Sequence, residues 1–421
     1  MRVLLVGGGG REHALAWAIA RSPLCTQLYC APGNAGIAQL AQTVPIPPKA
    51  IPELVRFAQQ QGIDFVVVGP ESPLIAGLAD RLAEVNIPCF GPRQVAAMLE
   101  GSKAFAKQLM AEANVPTAPF AIFDSAEAAR SYLIEQYAGR PCVVKASGEA
   151  LGKGVFVCET LGEALDAVEF LMVQRGLGEA GRQVVIEDRL VGREVSLLCL
   201  TDGKNAFCMP PVRDYKRAFD NNRGPNTGGM GCYTPLADVS PELVQQAQTT
   251  IIEPTLQAMA ERGTPYLGVL YAGLLIQEQQ PYTLEFNCRF GDPEAQVLIP
   301  LLQSDLLEHM VSAVEGQLNA DSIRFSQRCA VCVVLASGGY PNEYRTGLPI
   351  EGLERVQAMD EVIVFHAGTQ SEGGRIFTAG GRVLNVVGLG DTVEQARQRA
   401  YEAVHSIQFE GMHYRTDIAK G

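Results

Sequence analysis

Hydrophobic and polar positions follow two alternating patterns in the N-terminal part of the chain. Short apolar runs of strand length, such as residues 3–6 and 65–68, are separated by stretches with helical spacing, such as residues 12–20 and 52–61. The apolar runs end in glycine or proline, which marks the turn into the next element. This alternation predicts a doubly wound parallel sheet with helices on both faces.

Changes in pattern along the 421 residues divide the chain into three units, because this length exceeds that of one ordinary domain. Residues 1–101 form the N-terminal α/β unit, and residues 102–325 form a central region that is richer in strands. Within the central region, residues 120–193 form a smaller subdomain. Residues 326–421 form a C-terminal unit with a mixed sheet, which opens with an apolar strand over residues 329–336. The predicted fold class is α/β, and α+β in part.

The glycine-rich stretch at residues 7–10 connects the first predicted strand to the first predicted helix. Backbone N–H groups at a helix N-terminus bind phosphate, so the loop is a candidate site for a small phosphate ester. It does not fit a dinucleotide fingerprint, since Glu12 or His13 stands where the third glycine is required. The alternative is a tight turn that lets the helix pack closely on the sheet.

Two further loops, at residues 33–36 and 69–71, follow strands of the same predicted sheet. Ligands of open α/β sheets bind at the carboxyl ends of the strands, so the three loops are expected to line one crevice. Glu71 is then placed to accept hydrogen bonds from sugar hydroxyls. The alternative for Glu71 is a solvated carboxylate at the start of a helix.

A second glycine-rich loop lies between two predicted strands, over residues 141–157. It is not a Walker A loop, because the glycine spacing is too short and Gly154 stands where Ser or Thr would hold magnesium. A hairpin of this kind can close over a triphosphate, with Lys145 and Lys153 as point charges. A solvated hairpin with ordinary lysines is the alternative. The strand at residues 184–188 can present its backbone to an adenine.

Glu285 and Asn287 are two residues apart on a predicted strand, so their side chains share one face. Both offer oxygen, the ligand that magnesium prefers, and substrate phosphates can complete the coordination. Arg289 continues this face and is expected to stabilise charge in phosphoryl transfer. The polar, glycine-rich loop over residues 213–231 is expected to grip a substrate. The alternatives are an exposed strand face and a disordered surface loop.

Composition and charge limit the partners of the protein. The formal net charge of −12, without a long basic run, argues against a nucleic acid partner. No apolar stretch approaches the roughly 20 residues of a membrane-spanning helix, and the N-terminus does not resemble a signal peptide. Most of the 11 cysteines, Cys142, Cys158 and Cys199 among them, sit in apolar stretches, as buried thiols do in a reducing cytosol. Cys329 and Cys332 fall on opposite faces of a strand, which argues against a zinc or redox pair. We expect a cytoplasmic protein.

Read together, these segments resemble the phosphoribosylamine–glycine ligases, a family of ATP-grasp enzymes. The resemblance runs in order from Val3 to Ile418 and is strongest in the stretches VLLVGGGGREHALAW, VVKASGEALGKGV, KRAFDNNRGPNTGGMG and LEFNCRFGDPEAQV. It implies an N-terminal α/β domain, a small mobile lid, a central ATP-grasp body and a C-terminal domain. It also implies that ATP and Mg²⁺ (or Mn²⁺) are used to join glycine to phosphoribosylamine through glycyl phosphate, in a monomer or weak homo-oligomer.

The resemblance carries roles over to individual positions. The implied metal ligands are Glu285 and Asn287, and the implied catalytic residues are Arg289 and Asp214. The implied nucleotide-binding residues are Lys103, Lys145, Gly148, Gly152, Lys153, Gly154, Glu187, Leu190 and Glu194. The implied substrate-binding residues are Gly8, Gly9, Gly10, Arg11, Asn34, Glu71, Lys216, Asn226, Gly229 and Asp292.

The chain departs from the family pattern at a few positions. Ser147 stands where the lid usually has aspartate, and Tyr215 where histidine is common, so an acid role at the first and proton transfer at the second are not expected. Three other functions remain open at this point. They are a ligase or carboxylase acting on another purine intermediate, a non-catalytic nucleotide sensor, and an NAD-dependent dehydrogenase, which the failed glycine fingerprint disfavours.

Overall fold

A five-stranded parallel sheet forms the N-terminal part of the computed structural model, which describes residues 1–150 and 153–420. Its strands are β1 (Arg2–Gly7), β2 (Gln27–Pro32), β3 (Gln42–Thr43), β4 (Phe65–Val68) and β5 (Cys89–Phe90). The helices of this part are α1 (Gly10–Ile19), α2 (Ile51–Gln61), α3 (Glu71–Ile75), α4 (Leu78–Ala83), α5 (Gln94–Gly101) and α6 (Lys103–Glu112).

The strands of this sheet run in the order β3–β2–β1–β4–β5, and every neighbouring pair is parallel. Both faces are buried, since Val3 and Leu5 pack in one core and Leu4 and Val6 in another. The predicted doubly wound parallel sheet is confirmed. β3 and β5 add to the predicted strands, and at 2 residues each they are too short to show a period.

A four-stranded antiparallel sheet follows, in the order β6–β9–β7–β8, and we refer to it with its helices as the lid. Its elements are β6 (Phe120–Phe123), α7 (Ala126–Gln136), β7 (Cys142–Ala146), β8 (Val155–Cys158), α8 (Leu161–Val168) and β9 (Val184–Asp188). The lid has its own core, in which Leu133 and Leu171 pack against Val144 and Ile186.

The central sheet is antiparallel and carries the strand on which the metal ligands are predicted. Its order is β11–β10–β16–β17. The elements of this region are β10 (Arg193–Thr201), β11 (Ala206–Cys208), β12 (Arg213–Asp214), β13 (Arg217–Phe219), β14 (Arg223–Asn226), β15 (Gly231–Thr234), α9 (Pro241–Ala247), α10 (Glu253–Glu261), β16 (Gly268–Gln277), β17 (Gln280–Asn287), α11 (Glu294–Leu301) and α12 (Leu306–Val314). The buried free thiol predicted at Cys199 is wrong, because β11 places Cys208 directly opposite and the two form a disulfide.

The C-terminal elements contribute three strands to a third large antiparallel sheet. They are β18 (Cys329–Ala336), α13 (Leu353–Val356), β19 (Val362–His366), β20 (Thr369–Glu372), β21 (Arg375–Thr378), β22 (Arg382–Gly390) and α14 (Val393–Ser406). The sheet order is β12–β15–β18–β22–β19, so two strands from the central region belong to it. Cys329 and Cys332 point into different cores, which confirms that they lie on opposite faces of the strand. Within the described residues, no helix has the length and apolar character needed to cross a bilayer.

Candidate active site

Glu285 and Asn287 lie near the end of β17, where the lid, the central sheet and the N-terminal part meet. Glu285 is paired with Gly273 of β16, where the missing side chain leaves space for the carboxylate. Burial raises the pKa of Glu285, but Lys216 and Lys103 outweigh it and hold the pKa below its ordinary value. The carboxylate is therefore ionised at neutral pH and faces cations.

The two side chains offer one carboxylate and one amide oxygen, which suit a hard divalent cation. Within residues 1–150 and 153–420, no group of three or more His, Cys, Asp or Glu side chains is placed to hold a metal ion. A metal ion at Glu285 and Asn287 would take one carboxylate and one amide oxygen from these side chains and could take further oxygen ligands from a bound substrate. Phosphate groups are the usual source of such ligands for magnesium.

Arg289 is fixed between the N-terminal part and the end of strand β17. Its Nε lies 3.1 Å from Glu71 Oε2 of α3, and its Nη2 lies 2.8 Å from Glu100 Oε1 of α5. Nη2 also donates to Asn287 Oδ1 at 3.0 Å, and Glu100 Oε2 accepts from the backbone N–H of Cys288 at 2.7 Å. The structure thus brings the predicted site residues Arg289 and Glu71 together, and the two side chains form an ion pair with each other. Glu100 was not anticipated from the sequence.

A buried group of two lysines and one glutamate lies between the lid sheet, which carries Lys145 and Glu187, and α6, which carries Lys107. Lys145 Nζ lies 2.5 Å from Glu187 Oε1, and Lys107 Nζ lies 2.5 Å from Glu187 Oε2. Lys145 also donates to Leu284 O, next to Glu285, at 3.1 Å. Burial raises the pKa of Glu187, but the two ammonium groups hold it below its ordinary value. The structure thus joins two of the predicted nucleotide-binding residues and adds Lys107.

The loop between β7 and β8 packs against the start of α6. The backbone N–H of Lys103 donates to Ser147 O at 2.8 Å, and the N–H of Ala104 donates to Ser147 Oγ at 3.1 Å. Ser147 therefore supplies an uncharged hydrogen-bond acceptor to the N-terminus of α6, where the family usually has an acid. The N–H of Gly148 donates to Ala180 O at 3.0 Å.

The remaining predicted residues of the lid are more open. Lys153 is exposed, and Leu190 is half-buried just after β9. A Cβ added at Gly154 would come within 2.6 Å of Ala150 Cβ, so glycine permits this close approach. Gly152 lies outside the described residues.

The glycine loop between β1 and α1 is packed tightly on its neighbours. A Cβ added at Gly8 would lie 2.5 Å from Gly33 O, and one added at Gly10 would lie 2.2 Å from Asn385 Nδ2. Glycine is therefore needed at these positions for close packing, as in the tight-turn alternative.

Protein carboxylates already meet the start of α1. The N–H of Gly9 donates to Glu12 Oε2 at 2.6 Å, and the N–H of Arg11 donates to Asp292 Oδ2 at 3.4 Å. The Arg11 side chain is buried and reaches Glu12 at 2.6 Å and Phe290 O at 3.0 Å. An anion at this loop would have to share these donors with Glu12 and Asp292.

Asn34 holds three chain segments together through its side chain. Its Nδ2 donates to Gly8 O at 2.9 Å and to His366 O of the C-terminal sheet at 2.8 Å. Its Oδ1 accepts from the N–H groups of Gly36 and Ile37. Asn34 therefore lies just beyond the carboxyl end of β2, with its side chain occupied by backbone groups.

Arg382, at the start of β22, brings the C-terminal part into the site. Its Nη1 donates to Gly228 O and to Asp292 O, both at 2.7 Å, and lies 3.5 Å from Asp292 Oδ1. Burial raises the pKa of Asp292, but Arg382 and Arg11 hold it below its ordinary value. Arg382 thus fixes the glycine-rich loop against the segment after β17, and it was not among the predicted site residues.

Asp214 is a buried acid beside this loop. Its Oδ1 accepts no hydrogen bond from the described residues, and a Cβ added at Gly229 would lie 2.8 Å from it. Burial, together with Glu294, raises the pKa of Asp214 well above its ordinary value, although Lys216 acts in the opposite direction. A buried carboxylate oxygen without a partner is suited to a ligand cation.

Glu294 is a second buried acid near Asp214, and two hydrogen bonds fix the orientation of its carboxylate. Its Oε1 accepts from Tyr271 Oη at 2.6 Å and from Ser196 Oγ at 2.9 Å. Near it, Lys216 Nζ lies 3.5 Å from Glu194 Oε2, so a predicted substrate residue and a predicted ribose residue form an ion pair.

Asn226 and Tyr215 lie at the edge of this region. Asn226 is exposed at the end of β14, where it pairs with Arg217. Tyr215 Oη accepts from the N–H of Ala419, and its ring lies 4.8 Å from the Arg415 guanidinium carbon. The tyrosine side chain thus packs against the C-terminal segment.

Comparison with known proteins gives consistent matches over the whole chain. Models of the phosphoribosylglycinamide synthetase N domain, ATP-grasp (A) domain and C domain match residues 1–100, 101–295 and 330–421. The chain is similar to the phosphoribosylamine–glycine ligase of Brucella melitensis, with 48% identity over 99% of this chain and 97% of that protein. The ligase of Caldanaerobacter subterraneus is 44% identical over 100% of both chains.

Solved structures give the same result for the fold. The crystal structure of the phosphoribosylamine–glycine ligase of Thermotoga maritima superposes with a TM-score of 0.86 at 34% identity, covering 99% of this chain and 100% of that one. The biotin carboxylase domain of Hydrogenobacter thermophilus 2-oxoglutarate carboxylase has a TM-score of 0.74 at 19% identity, covering 98% and 91%. The second likeness shows the ATP-grasp fold alone.

Proposed function

Because the chain belongs to the phosphoribosylglycinamide synthetase family, we propose that it joins glycine to phosphoribosylamine at the expense of ATP. The products are glycinamide ribonucleotide, ADP and phosphate. The observation that carries the proposal is the position of Glu285 and Asn287. Both side chains lie near the end of β17, between Lys145 of the lid, which donates to Leu284 O, and Arg289, which pairs with Glu71 of the N-terminal part.

In this proposal Glu285 and Asn287 hold Mg²⁺ or Mn²⁺ together with phosphate oxygens. A bound ion would supply charge neutralisation at the phosphates, and these two residues would hold it there. Arg289 orients the Asn287 amide through the hydrogen bond to Oδ1. Because Arg289 also pairs with Glu71 of α3 and Glu100 of α5, it fixes the position of this amide relative to the two helices. Its positive charge is shared with Glu71 and Glu100, so its effect on the reaction is exerted mainly through positioning.

The nucleotide is proposed to lie between the lid and β17. Lys103, Lys145 and Lys153 contact its phosphates, and the loop with Gly148, Gly152 and Gly154 covers them. Glu187 and Leu190 frame the adenine, and Glu194 accepts from the ribose. This arrangement is supported by the burial of Lys145 beside Leu284 O, one residue from Glu285.

Glycine is proposed to bind beside the 213–231 loop. The unpartnered oxygen of Asp214 accepts from its ammonium group, while Lys216 and the backbone at Gly229 lie nearer its carboxylate. Phosphoribosylamine is proposed to occupy the crevice of residues 1–101, near Gly9, Arg11, Asn34 and Glu71, with Asp292 and Asn226 on the opposite side. We propose that the protein acts as a monomer or weak homo-oligomer in the cytoplasm, without nucleic acid or membrane partners.

The reaction proceeds in two transfers. A carboxylate oxygen of glycine attacks the γ-phosphorus, the bond to ADP breaks, and glycyl phosphate forms. The amine of phosphoribosylamine then attacks the acyl carbon, the C–O bond to phosphate breaks, and the nitrogen loses a proton. Positioning and electrostatic stabilisation supply most of the rate, so no nucleophilic side chain is needed.

The test is to incubate the protein with ATP, Mg²⁺, glycine and freshly prepared phosphoribosylamine, and to detect glycinamide ribonucleotide by mass spectrometry. Omitting glycine should stop ADP release. Continued ADP release without glycine would favour another ligase or a carboxylase. Replacing Mg²⁺ by Mn²⁺ or adding EDTA identifies the metal requirement. Tight ATP binding without turnover would favour a nucleotide sensor.

Glu285→Ala is expected to abolish glycine-dependent ADP release, because the ion loses its charged protein ligand. Glu278→Ala is a matched control, since Glu278 lies in the exposed turn between β16 and β17. Near-normal turnover in Glu285→Ala, with the fold intact by circular dichroism, would contradict the metal assignment.

A further inference from the structure

Lys107 is a buried lysine on α6, and the reaction as proposed gives it no role. Its side chain is 3% exposed, and its Nζ contacts Glu187 Oε2 at 2.5 Å and Thr117 Oγ1 at 2.6 Å. Thr117 in turn donates to Thr283 O at 2.7 Å, two residues before Glu285. A lysine this deeply buried requires a charged partner, and Glu187 is the partner it has.

Glu187 therefore serves two lysines at once, one on each carboxylate oxygen. Lys145 occupies Oε1 and Lys107 occupies Oε2, and all three side chains are buried. The group carries one negative and two positive charges, which leaves a net positive charge between the lid sheet and α6. A single lysine on Glu187 would instead form a neutral pair.

The second lysine matters when Lys145 has to contact a phosphate. If Lys145 were the sole partner, leaving Glu187 would expose a buried carboxylate without compensation, and this is strongly unfavourable. With Lys107 in place, Glu187 keeps a cation at 2.5 Å while Lys145 turns toward another anion. Lys107 thereby lowers the cost of releasing Lys145.

We propose that Lys107 is a positioning residue for the nucleotide, which holds the Glu187 carboxylate so that Lys145 is free to bind an ATP phosphate. The inference rests on the proposed location of ATP between the lid and β17. Lys107 itself does not touch the phosphates, because Glu187 and Thr117 take up its ammonium group.

The charge state of Lys107 gives the proposal a signature in pH. Burial lowers the pKa of Lys107 to about 8, with Lys145 acting in the same direction and Glu187 and Glu285 opposing it. Above this pH the ammonium loses its proton, Glu187 retains Lys145 alone, and ATP affinity should fall. Arginine at this position keeps its charge throughout this range.

The experiment measures MgATP binding by isothermal titration calorimetry between pH 7 and 9, without the other substrates, for the wild type and four variants. Lys107→Gln should raise the Kd for ATP about tenfold, equivalent to about 1.4 kcal/mol, whereas Lys107→Arg should restore most of the affinity and remove its decline above pH 8. Lys145→Gln tests the nucleotide site itself. Lys204→Gln removes an exposed lysine and is the control for net charge.

Steady-state rates at varied ATP separate positioning from a general loss of structure. Lys107→Gln should raise the KM for ATP and leave the KM for glycine and the melting temperature close to those of the wild type. Normal ATP binding by Lys107→Gln, or an unchanged pH profile in Lys107→Arg, would overturn the proposal. Normal binding by Lys145→Gln would instead overturn the proposed nucleotide site. If Lys107→Gln does not fold, the pH profile of Lys107→Arg decides the question.

Discussion

Replacing Arg289 by methionine is expected to destabilise the protein, because it leaves two carboxylates from different helices without their shared cation. Arg289 pairs with Glu71 at 3.1 Å and with Glu100 at 2.8 Å, and it donates to Asn287 Oδ1 at 3.0 Å. Methionine keeps much of the side-chain volume, so the change isolates the loss of charge and hydrogen bonds.

The expected magnitude follows from burial. Breaking a buried ion pair by removing one partner costs about 3–5 kcal/mol. The lower end applies here, since the side chains of Arg289, Glu71 and Glu100 are 16%, 19% and 13% exposed. Burial also raises the pKa of Glu100 even with Arg289 present, so Glu100 can take up a proton when the arginine is lost. We therefore expect the free energy of unfolding to fall by about 3 kcal/mol.

Urea titration followed by tryptophan fluorescence measures this change. The chain has 1 tryptophan, Trp17 of α1, whose ring lies 6.2 Å from that of Phe365 and so reports on the packing of the N-terminal and C-terminal parts. Arg345→Met is the matched control, because Arg345 is 75% exposed in its pair with Glu410, and its loss should cost less than about 1 kcal/mol.

The double variant Arg289→Met with Glu100→Gln tests whether the pair itself is responsible. Removing the stranded carboxylate should recover about 1 kcal/mol relative to the sum of the single changes. Two outcomes would refute the view that Arg289 joins the N-terminal part to β17. One is strict additivity of the two changes in the free energy of unfolding, and the other is an Arg289→Met protein whose free energy of unfolding lies within about 0.5 kcal/mol of the wild type.

Three further changes test other parts of the site and the fold. Asp214→Asn is expected to raise the KM for glycine about 10- to 100-fold, since a charged hydrogen bond contributes about 1.5–3 kcal/mol; initial rates at saturating ATP measure it, and an unchanged KM would remove Asp214 from the glycine site. Ser147→Ala should lower the free energy of unfolding by about 1 kcal/mol through the lost bond to Ala104 N, with little change in kcat; urea titration and steady-state rates check both, and a collapse of kcat would contradict this structural role. Burial lowers the pKa of His13 to about 3 and that of His366 to about 4. The unfolded chain therefore binds more protons between pH 4 and about 6.5, and stability should be lost as the pH falls through this range, by up to about 2.7 kcal/mol per pH unit for the two groups; urea midpoints that stay constant from pH 7 to 5 would show that the two imidazoles do not control acid stability.

Local patterns predicted the parts of the fold that form from neighbouring segments. Strand β18 matches the predicted apolar run at residues 329–336, and α2 (Ile51–Gln61) matches the helical spacing at residues 52–61. The membership of the C-terminal sheet could not be predicted in this way. β15 joins it by pairing with β18, and β12 joins it by pairing with β15. Nothing in the 213–234 segment indicates a partner about 100 residues further along.

The site shows the same division between local and distant information. The shared face of Glu285 and Asn287 follows from the period of a strand, so the sequence was sufficient to propose this pair. Glu100 lies in the last turn of α5, one residue before its end at Gly101. Its local sequence does not indicate that it pairs with Arg289. Lys107 could have been found, since it stands three residues from Ala104 and from Met110 on the buried face of α6, where a lysine needs an explanation.

Arg382 marks the limit of reading a site from sequence. It begins β22 after two glycines and reads as part of a hairpin, yet its Nη1 binds Gly228 O and Asp292 O, which lie 154 and 90 positions away. These contacts exist because β15 and β22 flank β18 in one sheet, which brings the glycine-rich loop and the C-terminal part to the same edge. The C-terminal sheet therefore shapes the loop that holds the proposed glycine site. A residue of this kind is recognised only when its partners, and not its neighbours in the chain, are known.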